Sequence, residues 1–115
     1  MDSEGVDRLF YEVGLTGSRE FTEAKAQQLG WPFIDLDEHQ PEKEALQVVP
    51  GSLARLHRVL PFRLEEDVLW VAMADPGHIQ AIEDLMMLSG NQILPVLAVP
   101  ADVDAAIARF YPAGA

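Results

Sequence analysis

A chain of 115 residues, 49% of them hydrophobic, suffices for one domain with a single core and is too apolar for a disordered tail. Its formal net charge of −11, from 19 acids against 8 bases, repels phosphate backbones and anionic lipid heads and so argues against general nucleic-acid binding. The absence of cysteine excludes a disulfide framework and any thiolate ligand or nucleophile; no apolar run approaches the roughly 18–20 residues of a membrane span, and the acidic start MDSEGVDRLF does not read as a signal peptide.

Val6, Leu9, Phe10 and Val13 fall on one face of a helix over residues 4–13, with Gly14 as its stop. Ser18 is placed to cap a second helix through Gln28, with Phe21 and Ala24 inward, Lys25 as a polar intrusion on that face, and Gly30 closing it. Residues 31–36, WPFIDL, read as an extended apolar connector pinned to the core, because Pro32 keeps the segment out of a helix. The polar run 37–40 is a solvated loop. Pro41 then opens a short helix carrying Ala45, Leu46 and Val49, and Pro50 breaks it. Ser52 is expected to cap another short helix with Leu53 and Leu56 inward.

Residues 59–64 and 68–74 read as strands joined through the acidic turn 65–67, a hairpin. Asp75 as N-cap and Pro76 at the first helical position predict a helix over 76–89 that buries Ile79, Ile82, Leu85 and Met86 and ends in a left-handed Gly90. A third strand follows over 93–99, with Pro95 marking an edge position or a bulge. The last helix begins at Pro100 and carries Val103, Ala106, Ile107 and Phe110 on one side. The strand–helix–strand unit from 68 to 99 requires parallel strands and a right-handed crossover. The expected fold is therefore α+β: a small mixed three-stranded sheet, hairpin plus βαβ, covered by helices and preceded by a helical N-terminal segment. The division falls near residues 37–41, giving a segment 1–36 and an α/β piece 37–115.

Catalytic motifs are missing. Neither Lys25 nor Lys43 follows a glycine or precedes Ser or Thr, so there is no P-loop; GxGxxG and GxSxG are absent as well. His39, His57 and His78 lack the spacings that put two imidazoles on one helical face, and no metal site is expected; His57 is assigned to a short helix and His78 to an exposed first turn. Asp35 with Asp37, Glu65-Glu66-Asp67 and Glu83-Asp84 are the acid groups that could serve general acid/base work; the second is a hairpin tip and the third the polar side of a helix, both read as solvated surface. Met73, Met86, Met87 and Leu88 give the central helix and its strand a soft apolar end, and Met87 and Leu88 cannot both be inside a two-layer domain. They are the candidates for contact with another protein.

The stretches LGWPFIDL (29–36), VVPGSLARLHRVLPFRLEEDVLWVAMADP (48–76) and AIEDLMMLSGNQILPVLAVPADVDAAIARFY (81–111) resemble the N-terminal domain of type II secretion and type IV pilus assembly ATPases, the GspE/PilB N-terminal or MshEN-like family. The resemblance implies a non-catalytic cytoplasmic domain that regulates or links the motor to other components. Its partners would be the ATPase motor domain or a membrane-associated platform protein that recruits it to the inner membrane. Some members of this family sense cyclic di-GMP through two consecutive copies of a motif. One copy has room here, and Gly14, Leu15, Phe21 and Gln28 are the residues on which the resemblance would place the dinucleotide. Against it, Gly5 stands where the motif has arginine, Asp7 where it has glycine, and Thr16 and Lys25 where it has aliphatics. The loss of the guanidinium fork and the gain of an acid both oppose a phosphate ligand.

Overall fold

The structure, a computed structural model, describes residues 19–112. The expected helix over 4–13, the Ser18 cap and the candidate residues Gly14 and Leu15 lie outside them. Five helices and three strands follow in the order α1 (Arg19–Leu29), α2 (Lys43–Val48), α3 (Gly51–His57), β1 (Val59–Glu65), β2 (Val68–Met73), α4 (Ile79–Ser89), β3 (Gln92–Leu97) and α5 (Pro100–Phe110) among the described residues. The sheet order is β1-β2-β3, with β1 antiparallel and β3 parallel to the central β2. The architecture is the expected mixed α+β one.

Alternation along β2 decides the layers. Leu69, Val71 and Met73 point to one face and pack with Val59, Val49, Ala54, Ala81 and Leu85 beneath α2, α3 and α4. Ala72 points to the other, where Leu60 and Ala98 meet Val103 and Ile107 of α5. A register irregularity between Pro61 and Arg63 places an extra residue, Phe62, in β1.

Both outer edges of the sheet are managed. Leu97 N–H donates to Pro32 O at 2.8 Å and Leu97 O accepts from Ile34 N–H at 3.0 Å, so the 31–36 connector runs beside β3 through a parallel bridge at Phe33. By the period of two, Pro95 presents its missing N–H to that same outer side, which is why β3 tolerates it. On the opposite edge Glu42 imitates a strand: its N–H donates to Phe62 O at 2.8 Å, and its Oε1 accepts from Leu64 N–H at 3.0 Å.

Several local expectations are corrected. α4 begins at Ile79, not Pro76, because the Asp75 carboxylate is spent on an Asx turn, accepting from Gly77 N–H at 2.9 Å. Its buried side is Ala81 and Leu85, with Ile82 half-covered; Ile79 and Met86 face outward. α3 starts at Gly51 after Pro50, so Ser52 does not cap it, and Leu56 is 71% exposed while His57 takes the inward place. In α1 the buried pair is Thr22 and Ala26, with Phe21 and Ala24 at its margin. The helix ends hold: Trp31 N–H reaches Ala26 O and Gly30 N–H reaches Gln27 O around a Gly30 φ of 73°. Gly90, at φ 71°, closes α4 onto Met86 O.

Candidate functional site

Three surfaces stand out among the described residues. The first is the outward side of α4. Ile79, Met86 and Met87 lie within one arc of the helix, at 64%, 47% and 86% exposure, and Leu88 is half-exposed at the flank. Glu83 sits in the middle of that arc and the helix carries no basic residue. Met87 and Leu88, the two interaction candidates, are therefore both at the surface. They do not form one patch alone, because Leu88 is turned about 100° from Met87.

The second is a hollow between α1 and the carboxyl ends of β2 and β3. Phe21, Lys25, Arg58, Asp75, Leu97 and Pro100 contribute to it. Phe21, Lys25 and Gln28 follow one another at four- and three-residue steps along α1, so they share a side of the helix. Gln28 is half-buried and is not among the residues lining the hollow. Arg58 is committed: in a left-handed conformation at φ 53°, it donates through Nε and Nη2 to both Asp104 oxygens at 3.0 and 2.8 Å. That bidentate bond raises the guanidinium pKa above its ordinary value. Lys25 Nζ lies 5.4 Å from the Phe21 ring centre. The hollow thus offers one aromatic face and the Lys25 ammonium, with Arg58 held by Asp104 and Asp75 opposing an anion.

The third was not foreseen from the sequence. α5 covers only part of its face of the sheet and leaves a groove of about 360 Å³ lined by Phe33, Phe62, Arg63, Trp70 and Val96. Phe62 meets Trp70 edge-on at 6.4 Å, and the Arg63 guanidinium lies 5.2 Å from the Trp70 ring centre while pairing with Glu65 at 2.5 Å. The sequence hint was the facing of Arg63 and Trp70 across the hairpin, legible only once the bulge at Phe62 sets the register.

Two clusters join residues that the sequence keeps apart. Asp35, Asp37 and Asp102 bring carboxylate oxygens within 4.8 Å of one another. Arg19 Nη1 donates to Asp35 at 2.5 Å, and Asp37 N–H donates to Asp35 Oδ1 at 2.9 Å. Asp102, in the first turn of α5, has its pKa raised by burial and then by the charges of Asp37 and Asp35. The second cluster joins His57, in a short helix as expected, to His78, which is half-buried rather than exposed: His57 Nδ1 and His78 Nε2 are 2.9 Å apart, with Asp84 beside His57. The acidic groups Glu65-Glu66-Asp67 and Glu83 are exposed, as expected.

A small α+β domain of this kind offers a hydrophobic helix side, a mixed-charge hollow and an aromatic groove. The chain belongs to the MshEN domain family, whose model matches residues 29–115. It is 33% identical over 100 residues to the type IV pilus assembly ATPase PilB of Myxococcus xanthus, a match covering 87% of this chain and 18% of that protein. PilB of Thermus thermophilus is 34% identical over 94 residues, covering 77% of the chain and 11% of the relative. The chain thus spans less than a fifth of the length of these relatives. Among solved structures, that of MshE with cdg superposes with a TM-score of 0.74 at 29% identity, over 82% of this chain and 69% of the other. The N-terminal domain of XpsE gives 0.70 at 23% identity, over 88% and 71%, and shares the fold. A domain of the MshEN type, similar to part of type IV pilus assembly ATPases, is in line with what the sequence resemblance had implied.

Proposed function

We propose that this domain is a non-catalytic, cytoplasmic protein-interaction and regulatory module of a type II secretion or type IV pilus ATPase system, linking the motor to other components. Its partner is the ATPase motor domain or a membrane-associated platform protein, and it enters no membrane itself. The observation that carries the reading is the outward apolar side of α4 in a chain of this family: Met87 at 86% exposure beside Ile79 and Met86, with Leu88 at the flank. Segment 1–36 and piece 37–115 act as two units in this reading, the second supplying the scaffold that holds α4. The test is a photo-crosslinking residue at position 87 in cells carrying the complete system. Cross-links to a motor or platform protein support the proposal; a well-folded probe that cross-links to no component of the machinery overturns it.

A second reading is cyclic di-GMP sensing through Gly14, Leu15, Phe21 and Gln28. It is favoured by the likeness to MshE solved with cdg and by the Phe21 face beside Lys25 and Arg58. Calorimetry of the intact chain with cyclic di-GMP decides it. Heat that disappears in Phe21→Ala supports sensing, and a flat titration of folded protein removes it.

A further inference from the structure

We infer that His57 and His78 form a binding site for a divalent transition-metal ion of the zinc, nickel or copper class. The inference stands independently of the partner proposed above. The two imidazoles come from separate elements, His57 from the end of α3 and His78 from the residue that precedes α4. Their Nδ1 and Nε2 atoms face each other at 2.9 Å, with ring centres 4.9 Å apart and planes inclined at 51°. Two ring nitrogens aimed at one point can share one proton, and an ion can replace that proton. With metal–nitrogen bonds of about 2.0–2.1 Å, a tetrahedral ion holds two nitrogens roughly 3.3 Å apart, so the pair needs to open by only a few tenths of an ångström.

The surroundings suit a ligand more than a plain hydrogen bond. His57 is buried, and its far nitrogen Nε2 lies 3.1 Å from Asp84 Oδ2, off the line of a good hydrogen bond and with no other acceptor among the described residues. With Asp84 beside Nε2, a proton carried on that nitrogen leaves the Nδ1 lone pair turned toward His78. This carboxylate–imidazole–metal order is the usual outer support of a histidine ligand. Asp84 is itself held, because its Oδ1 accepts from Gln80 Nε2 at 2.8 Å. His78 is only half-buried and Asp84 is 37% exposed, so an ion has a way in and room to keep water in its remaining positions. Two imidazoles favour a borderline transition metal over magnesium or calcium, which prefer oxygen.

The experiment uses the full chain without a histidine tag, titrated with zinc chloride by calorimetry and by long-range nitrogen–proton NMR of the imidazole rings. The expected result is one zinc per chain, with His57 Nδ1 and His78 Nε2 shifting together while His39 does not move. His78→Ala should weaken binding at least tenfold, Asp84→Asn by about 10–100-fold, and His39→Ala not at all. Because His57→Ala opens a buried site, His78→Ala at the half-exposed position is the decisive variant. Absence of zinc binding by the folded chain, or full affinity retained in His78→Ala (the result if Asp35, Asp37 and Asp102 were the binders), overturns the inference.

Discussion

The Tyr111 hydroxyl donates to the Leu46 carbonyl oxygen across 2.7 Å, tying the residue after α5 to a turn of α2 65 positions earlier. Arg55 Nη1 closes the arrangement from α3 by donating to Tyr111 O at 2.9 Å. One residue, through its hydroxyl and its backbone carbonyl, therefore ties α2 and α3 to the end of α5. Tyr111→Phe keeps the ring and leaves the Leu46 carbonyl without this donor, which should cost about 0.5–1.5 kcal/mol. Urea unfolding should show a lower midpoint with an unchanged slope; an unaltered midpoint would mean that the ring alone makes the latch.

The same phenol carries a pH dependence. Burial raises the Tyr111 pKa well above the ordinary tyrosine value of about 10. The folded state thus holds the proton where the unfolded chain has released it, so stability contributed by the neutral phenol is complete below about pH 10 and declines as pH rises beyond it. Spectrophotometric titration should find one of the two tyrosines ionising late, and Tyr111→Phe should remove that component. A normal titration of both tyrosines in the folded protein would contradict the placement.

The phase of α4 separates what the sequence showed from what it hid. The hairpin, the parallel crossover, Gly90 and the Val103–Ile107 face were legible because alternation, punctuation and large apolar side chains coincide there. In α4 large side chains misled, since Ile79 and Met86 suggested a core stripe that the helix turns to solvent. It packs instead through Ala81, a small residue that allows close approach, together with Leu85. His57 and His78 were illegible for another reason: 21 positions and two strands separate them, and only the fold brings their rings together. Leu85→Ala should therefore cost about 2–5 kcal/mol. Met87→Asp should stay within about 0.5 kcal/mol, while abolishing cross-linking from this face. Thermal unfolding of the two variants side by side tests the phase, and equal losses would refute it.

Asp102 shows charge repulsion at the start of α5. Its pKa is raised, so at neutral pH the folded state carries a carboxylate that burial and the charges of Asp37 and Asp35 both disfavour. For an acid shifted in this direction, that cost is full above the folded pKa and is relieved as pH falls through it toward the ordinary aspartate value of about 3.9. Asp102→Asn removes the charge at some loss of favourable interaction with the helix dipole. The variant should melt higher than the parent at pH 7, with the gap closing as the medium approaches pH 4. A variant that melts lower at pH 7 would show that the helix terminus outweighs the neighbouring acids.

The hairpin tip is strained without a glycine to relieve it. Glu66 adopts φ 55° in the short connection between β1 and β2, a left-handed conformation that β-carbon sterics penalise by about 1–2 kcal/mol. Its neighbours Glu65 and Asp67 are both acidic and exposed, so like charges crowd the same turn. Asparagine accepts the left-handed region more readily and removes one charge. Glu66→Asn should therefore stabilise the domain by about 0.5–1 kcal/mol, with the larger gain at low ionic strength, where repulsion is least screened. Urea titrations at low and high salt divide the two contributions. A gain that vanishes in high salt would assign the whole effect to charge and none to the backbone.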